Sequence, residues 1–416
     1  LQSLGSALGS SSEKAVELRK LASRSLSNLV DTALERQAAF VVLSGDVYDS
    51  ADREVSSQLS FERALRRLRN DGATGPVPVF VVHGNHDPLV AGFRSSVELP
   101  DNVHVFDSGS PSMVPVEVDG FGRVNVAGVS FSSRSESANL VKSFGQLSVD
   151  PSVPSVGVVH ANVEGVADHD PYAPCSKDDL NASSIGYWAL GHVHKRIVAS
   201  MGPHRWWAYP GNLQGRSTKP AECGAKGVLS VGFTPGGFAE PEFVACDSVR
   251  FERLDIDIAE VTDAGEVVRL VAEKSLARAG AAEGRPILMA IELVGRTQLH
   301  AKLRGMQSDE LLEQCREELA GGLGLGELLR LRVATLPDAD LDKLAASVGL
   351  IGEVLRFLDS VGAGDNPAQV HELSTQLLES LPASLMKVVD LDQHMPDLIA
   401  ASRRILVDEL LESDSK

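Results

Sequence analysis

The chain has 416 residues, with 39 Lys plus Arg against 57 Asp plus Glu and a formal charge of −18. That length accommodates about two to three domains with a large buried core, and the acidic balance argues against tight, autonomous binding of nucleic acid through phosphates. Cys175, Cys223, Cys246 and Cys315 make no CxxC pair, and no apolar run of about 18 residues occurs, so a soluble, cytoplasmic protein with no membrane partner is expected.

Ser10 with Glu13 reads as a capping box opening a helix to about Gln37, with Leu18, Ala22, Leu26, Leu29 and Ala33 on one face. The strand Phe40-Val41-Val42-Leu43 follows and ends in GDVYD at 45–49. A helix from about Asp52 to Asn70 is broken by Gly72, Gly75, Pro76 and Pro78 before the strand Val79-Phe80-Val81-Val82, which ends in GNHD at 84–87. Shorter strands fill 103–131, a helix lies near 136–146, and the strand Val156 to Val159 ends at His160. Trp188-Ala189-Leu190 ends in GHVH at 191–194, and strands near 196–200, 205–209, 227–233 and 241–245 close a first domain over 1–246. A second, over 247–336, holds a strand on Leu254, Ile256 and Ile258, a helix over 263–279, a strand from Pro286 to Val294, helices near 298–320 and a strand at 327–335. The region 337–416 is helical, with a stripe on Leu341, Leu344, Val348, Ile351, Val354, Leu355 and Leu358. Further apolar positions follow at Leu377, Leu378, Leu381, Leu385, Ile399, Ile405, Leu406, Leu410 and Leu411, in a segment where acidic residues outnumber basic ones.

Four strands thus end in Asp, Asn and His, and open α/β sheets gather their ligands at such strand ends. Asp46, Asn85, His160, His192 and His194 offer hard oxygens and imidazoles without a thiolate, a set that suits Mn²⁺. In a two-metal phosphoesterase one ligand bridges the ions, and the carboxylate of Asp46 is the candidate. His86 is placed beside the metals to stabilise phosphoryl charge or protonate a leaving oxygen, with Asp87 expected to orient or charge it. Gly45, Gly84 and Gly191 precede ligands where the backbone must turn in a crowded space. Any one such pair is usually just a turn; the ordered set of four is what points to a metal site.

Together GDxxD, GNHD, a lone His after a strand and GHxH resemble the calcineurin-like metallophosphoesterases. HDPYAPC at 169–175, YWALGHVHK at 187–195 and YPGNLQGR at 209–216 further resemble the SbcD-type nuclease subunits and, among them, the YhaO-like DNA repair exonucleases, over roughly residues 1–233. The resemblance implies a four-layer α/β/β/α sandwich, a small α/β capping domain beside the DNA groove, and carboxy-terminal helices that dock on an SMC-like, AAA-type ATPase subunit. It also allows a homodimer. It assigns one ion to Asp46, Asn85, His160 and His192, and the other to Asp46, His194 and an Asp-x-His motif that these residues do not contain. Leu1-Gln2-Ser3-Leu4-Gly5 resembles the loop after that motif, so the motif is expected immediately before Leu1. His86 is the implied catalytic histidine.

Weaker candidates are His169 and Asp170, as substrate contacts or a loop-stabilising pair, and Arg216, as a phosphate contact or an ion-pair partner. His83 is expected to be packed rather than ligating, and Trp206 and Trp207 to pack rather than stack on bases. The leading expectation is an Mn²⁺-dependent DNA exonuclease or endonuclease acting through a metal-activated water. The alternatives are a phosphodiesterase or phosphatase on small molecules, and a non-catalytic scaffold with an incomplete second metal site.

Overall fold

The computed structural model describes residues 13–48, 55–73, 75–89, 97–165, 172–306, 308–338 and 341–362, with isolated helical positions near the carboxy terminus. Residues 1–5, Ser10, Asp49, His169, Asp170 and the apolar positions from Leu377 to Leu385 lie outside the described residues. The chain divides into two compact units, one of 1–253 with 278–289 and 323–327, the other of the remaining residues.

In place of one long amino-terminal helix there are two, α1 at Glu13–Ala22 and α2 at Ser25–Glu35. The break has a local cause: the Ser23 hydroxyl bonds the Lys20 carbonyl at 2.7 Å and the Ser25 hydroxyl bonds the Ala22 carbonyl at 2.9 Å. Serine side chains that capture carbonyls three residues back compete with the helical ladder. Strand β1, Val41–Ser44, follows, then helix α3, Val55–Asn70, and strand β2, Val79–Val82. These two strands pair in parallel, and β3, Val103–Val105, completes a three-stranded sheet of order β1-β2-β3.

A second sheet collects β4, Ser112–Val118, β5, Gly122–Val129, β6, Ser155–His160, β7, Tyr187–Gly191, β8, Ile197–Gly202, and β9, Arg205–Tyr209. Its order is β8-β9-β7-β6-β5-β4, with β5, β6, β7 and β9 parallel. The helix expected near 136–146 is only a turn, α4 at Leu140–Ser143, continued by a 3₁₀ turn to Gln146.

Alternation along the strands separates three apolar layers. On one face of the first sheet, Val79 and Val81 pack with Leu26, Leu29, Val30, Phe61, Leu65 and Leu68 of α2 and α3. Its other face, through Phe80 and Val82, meets Val124, Val126, Val156, Val158, Tyr187 and Ala189 of the second sheet. The outer face of that sheet, carrying Val159, Trp188, Leu190 and Tyr209, is covered by Leu140, Val141, Phe144 and Leu180. The result is a helix/sheet/sheet/helix sandwich. Because β1, β2, β6 and β7 are parallel neighbours within their sheets, their carboxyl ends lie where the four ligand motifs begin.

A separate three-stranded sheet is formed by β10, Arg250–Asp257, β11, Ile287–Val294, and β12, Glu327–Val333, with β11 central. The helix Ala264–Gly280 buries Val267, Val268, Val271 and Ala272. The span 298–320 holds two helices, His300–Gly305 and Ser308–Glu318, and Leu341–Ala346 and Leu350–Gly362 follow. On the last of these Leu355 is buried while Leu350 and Phe357 are exposed. No described helix is long and apolar enough to cross a membrane.

Candidate metal centre

The site is organised around the imidazole of His160, the last residue of β6, which is 1 % exposed. In the β6–β7 register His160 stands opposite Gly191. A Cβ added at Gly191 would collide with the Ser44 carbonyl oxygen and come within 2.7 Å of His160 Nδ1, while one at Gly45 would lie 2.5 Å from the same nitrogen. A Cβ at Gly84 would collide with the Asp46 carboxylate and the His160 ring. Glycine at these three positions therefore makes the space in which the ring, the carboxylate and the Ser44 carbonyl meet. Two of the candidate ligands also sit in the left-handed region that disfavours ordinary residues, Asp46 at φ +54° and His192 at φ +100°. Such strain costs about 1–3 kcal/mol per residue and persists where surrounding structure enforces it.

His160 Nδ1 lies 2.9 Å from the Ser44 carbonyl oxygen, which can only accept, so Nδ1 carries the proton. When the ring is neutral, its lone pair is then on Nε2. It faces Asn85 Oδ1 at 2.9 Å and Asp46 Oδ2 at 3.3 Å, both acceptors as placed. An imidazole nitrogen, an amide oxygen and a carboxylate that meet in this way are satisfied either by a proton on Nε2, which makes an imidazolium–carboxylate pair, or by a cation among them. Carboxylate, amide oxygen and imidazole are donors that a divalent cation accepts. Among the described residues no group of three His, Cys, Asp or Glu could hold an ion, and the groups that converge here are Asp46, His160 and the amide of Asn85. His192 stands next to this group, its ring 5.2 Å from that of His160 and 5.9 Å from Tyr172. His86 is tied in through its backbone, whose N–H donates to Asp46 Oδ1 at 2.9 Å.

The expected partnership of Asp87 with His86 is corrected. Asp87 is 1 % exposed, and its carboxylate accepts the backbone N–H groups of Asp46 at 3.2 Å, Val47 at 2.9 Å, Tyr48 at 3.3 Å and Gly84 at 2.8 Å. Burial would raise this carboxyl, but His83 and the Gly84 and Tyr48 amides outweigh it and hold Asp87 below the ordinary carboxylate range. Asp87 thus fastens the GDVYD turn to the GNHD turn, and Asp46 to the strand end that carries Asn85. His83 is buried, with Nδ1 3.5 Å from the same carboxylate, in keeping with a packed histidine.

His194 extends the site through a residue that the sequence did not single out. Its Nδ1 lies 2.9 Å from Glu222 Oε1, and Glu222, 6 % exposed, also accepts from Asn212 Nδ2 at 2.7 Å and from the Arg216 backbone N–H at 3.0 Å. The Arg216 guanidinium reaches Oε1 at 3.4 Å, so this arginine is the partner of a buried carboxylate. Burial would raise Glu222, yet the hydrogen bond from His194 and the charge of Arg216 lead the effects that bring it down to about 2. Tyr209 was likewise unforeseen: its hydroxyl donates to the Ala161 carbonyl at 2.6 Å and accepts from Val163 N–H at 3.0 Å, pinning the loop after His160. Trp207 is buried in the outer core, and Trp206 packs on the inter-sheet core and donates to the Phe238 carbonyl at 3.3 Å. The four cysteines are free thiols, and burial pushes Cys175 up to about 12 and Cys223 to about 11.

Residues 22–196 match the family model of the calcineurin-like phosphoesterases, and residues 251–334 match that of the middle domain of the metallophosphoesterase YhaO. The chain is 32 % identical over 322 residues to the uncharacterized metallophosphoesterase YhaO of Bacillus subtilis, covering 77 % of this chain and 76 % of that protein. It is 24 % identical over 173 residues to the DNA double-strand break repair protein Mre11 of Sulfurisphaera tokodaii, covering 41 % of this chain and 42 % of that one. The crystal structure of TT1561 of Thermus thermophilus aligns at 14 % identity over 46 % of this chain and 84 % of its own, with a TM-score of 0.28.

Proposed function

Because the chain belongs to the calcineurin-like metallophosphoesterases, with a middle domain of the YhaO type, we propose that it hydrolyses phosphodiester bonds of DNA with two divalent ions, Mn²⁺ foremost. The observation that carries this reading is the meeting of Asp46 Oδ2, Asn85 Oδ1 and His160 Nε2, a carboxylate, an amide oxygen and an imidazole nitrogen of the kinds that a divalent cation accepts, at the ends of parallel strands. Asp46, Asn85, His160 and His192 would hold one ion, and Asp46 and His194 would contribute to the other. When bound, such ions polarise a phosphoryl oxygen and lower the pKa of a water.

The chain's own residues supply the rest. Ser44 fixes the His160 ring so that Nε2 faces the oxygens, and the Asp87 carboxylate holds the two ligand turns together. His86 follows Asn85 and is tethered to Asp46 through its backbone N–H, and its imidazole would stabilise phosphoryl charge or give a proton to the leaving oxygen. DNA as the substrate, rather than a small phosphoester, is supported by the likeness to Mre11, which its name describes as a DNA repair protein.

The test is hydrolysis by the full chain under Mn²⁺ of single-stranded DNA, linear double-stranded DNA, nucleotide monoesters and cyclic dinucleotides. Cleavage of either DNA is the expected result. Turnover of the small esters with both DNAs left intact would overturn the nuclease reading and leave the metallophosphoesterase assignment standing.

A further inference from the structure

We infer that Glu222 is the positioning residue that sets the tautomer of His194 and so presents Nε2 of that ring as its ligating nitrogen. This rests on the metal reading of His194 above, together with the polarity of the hydrogen bonds around the ring.

An ionised carboxylate only accepts, so the 2.9 Å contact between Glu222 Oε1 and His194 Nδ1 requires a proton on Nδ1. The lone pair of the neutral ring is then on Nε2, as in His160, where the Ser44 carbonyl does the same work. A carboxylate that fixes the tautomer of a metal-binding histidine and raises its basicity is a recurrent arrangement, and losing one typically costs about 10–100-fold in metal affinity. Glu222 is well made for it. It sits on a single 3₁₀ turn, Pro220–Glu222, and is held on its other oxygen by Asn212 Nδ2 and the Arg216 backbone N–H. Around it the backbone is close: a Cβ at Gly215 would collide with the Glu222 carbonyl oxygen, and one at Gly211 would lie 2.7 Å from the His194 carbonyl oxygen. Lys226 bridges the two segments, its ammonium donating to the carbonyls of both His194 and Ala221.

The arrangement makes the Gln variant informative. Glutamine offers one acceptor and one donor where Glu222 offers two acceptors. The Arg216 backbone N–H, at 3.0 Å, can neither reverse its polarity nor turn away, whereas the Arg216 guanidinium, 3.4 Å from the other oxygen, is on a side chain that can; the oxygen of Gln therefore goes to the backbone N–H and the new NH₂ faces His194 Nδ1. The imidazole accommodates this by moving its proton to Nε2, which blocks that nitrogen as a ligand. E222Q is thereby expected to switch the tautomer while filling the same volume.

The experiment is ¹⁵N NMR of the full chain labelled at histidine, metal-free and at alkaline pH, with His194 assigned by comparison with His194→Asn. Wild type is expected in the Nδ1–H form and E222Q in the Nε2–H form, with Mn²⁺ affinity, read by EPR of the free ion, weakened about 10–100-fold in E222Q. Arg216→Met, which removes a different donor from the same carboxylate, is expected to keep the wild-type tautomer. A wild-type His194 in the Nε2–H form overturns the inference even if the variants fail to fold, as does an E222Q spectrum unchanged at His194. A switched tautomer with unchanged Mn²⁺ affinity upholds the tautomer role of Glu222 and refutes His194 as a ligand.

Discussion

Replacing Asp87 by Asn tests whether the geometry of the metal centre is enforced by a buried carboxylate rather than by the strands alone. The two oxygens of Asp87 accept four backbone N–H groups, with Gly84 and Asp46 on one oxygen and Val47 and Tyr48 on the other. Asparagine keeps one acceptor and turns the other into a donor that faces two fixed donors, so whichever way the amide lies, two of the four bonds are lost. Hydrogen bonds to a charged group contribute about 1.5–3 kcal/mol each, which puts the loss at about 3 kcal/mol or more. In a unit of this size about 3 kcal/mol lowers the melting temperature by roughly 6–12 °C. The amides involved flank Asp46 and precede Asn85, so Mn²⁺ affinity is expected to fall with stability. Thermal unfolding followed by circular dichroism, with and without Mn²⁺, measures both. A D87N protein that melts within about 2 °C of wild type and binds Mn²⁺ equally well would refute the reasoning.

Gly191→Ala is expected to weaken Mn²⁺ binding at least tenfold and cost about 1–3 kcal/mol, since its methyl meets the fixed Ser44 carbonyl; calorimetric titration and melting curves check the two effects. His86→Ala should leave Mn²⁺ occupancy intact and remove most turnover, and retained turnover would exclude a catalytic role. Asp179 gives the acid-stability prediction: the Ser176 backbone N–H leads the bonds that hold it at about 2 against an ordinary 3.8, and Asn139 and Lys142 assist. Its contribution is complete above the unfolded value and is lost as pH falls toward about 2, so the stability gap between wild type and D179N should close over that window in acid-unfolding curves.

The strand ends and their ligands were legible because each motif is local. A β-branched run followed by Gly and a polar residue states where a strand stops and what it offers, and β1, β2, β6 and β7 end at or one residue past those runs. A layered α/β domain was legible too, from continuous apolar runs such as Val79 to Val82 alternating with helical segments, while the four-layer order was implied by the family resemblance. What the sequence hid was the partnering of polar groups across long separations. Nothing near Asp87 states that it will bind the amides at 46–48, and nothing in Pro-Ala-Glu-Cys states that Glu222 will meet a histidine 28 positions earlier. Adjacency to His86 suggested a partner for Asp87; in a tight turn, neighbours in sequence point in different directions. The helix break at Ser23 depended on side chains capturing carbonyls, a local effect that apolar periodicity does not register.

The central claim is that Asp46, Asn85 and His160 form a cation site, and Asp46→Asn tests it most directly. An Asn amide can keep the acceptor for the His86 N–H while its NH₂ donates to His160 Nε2, filling the acceptor cluster with a proton instead of an ion. Mn²⁺ titration of wild type and D46N, with metal-free melting curves alongside, is the measurement. D46N is expected to be at least as stable as wild type without metal and at least tenfold weaker in Mn²⁺ binding. A D46N protein that binds Mn²⁺ with wild-type affinity and stoichiometry would contradict the claim.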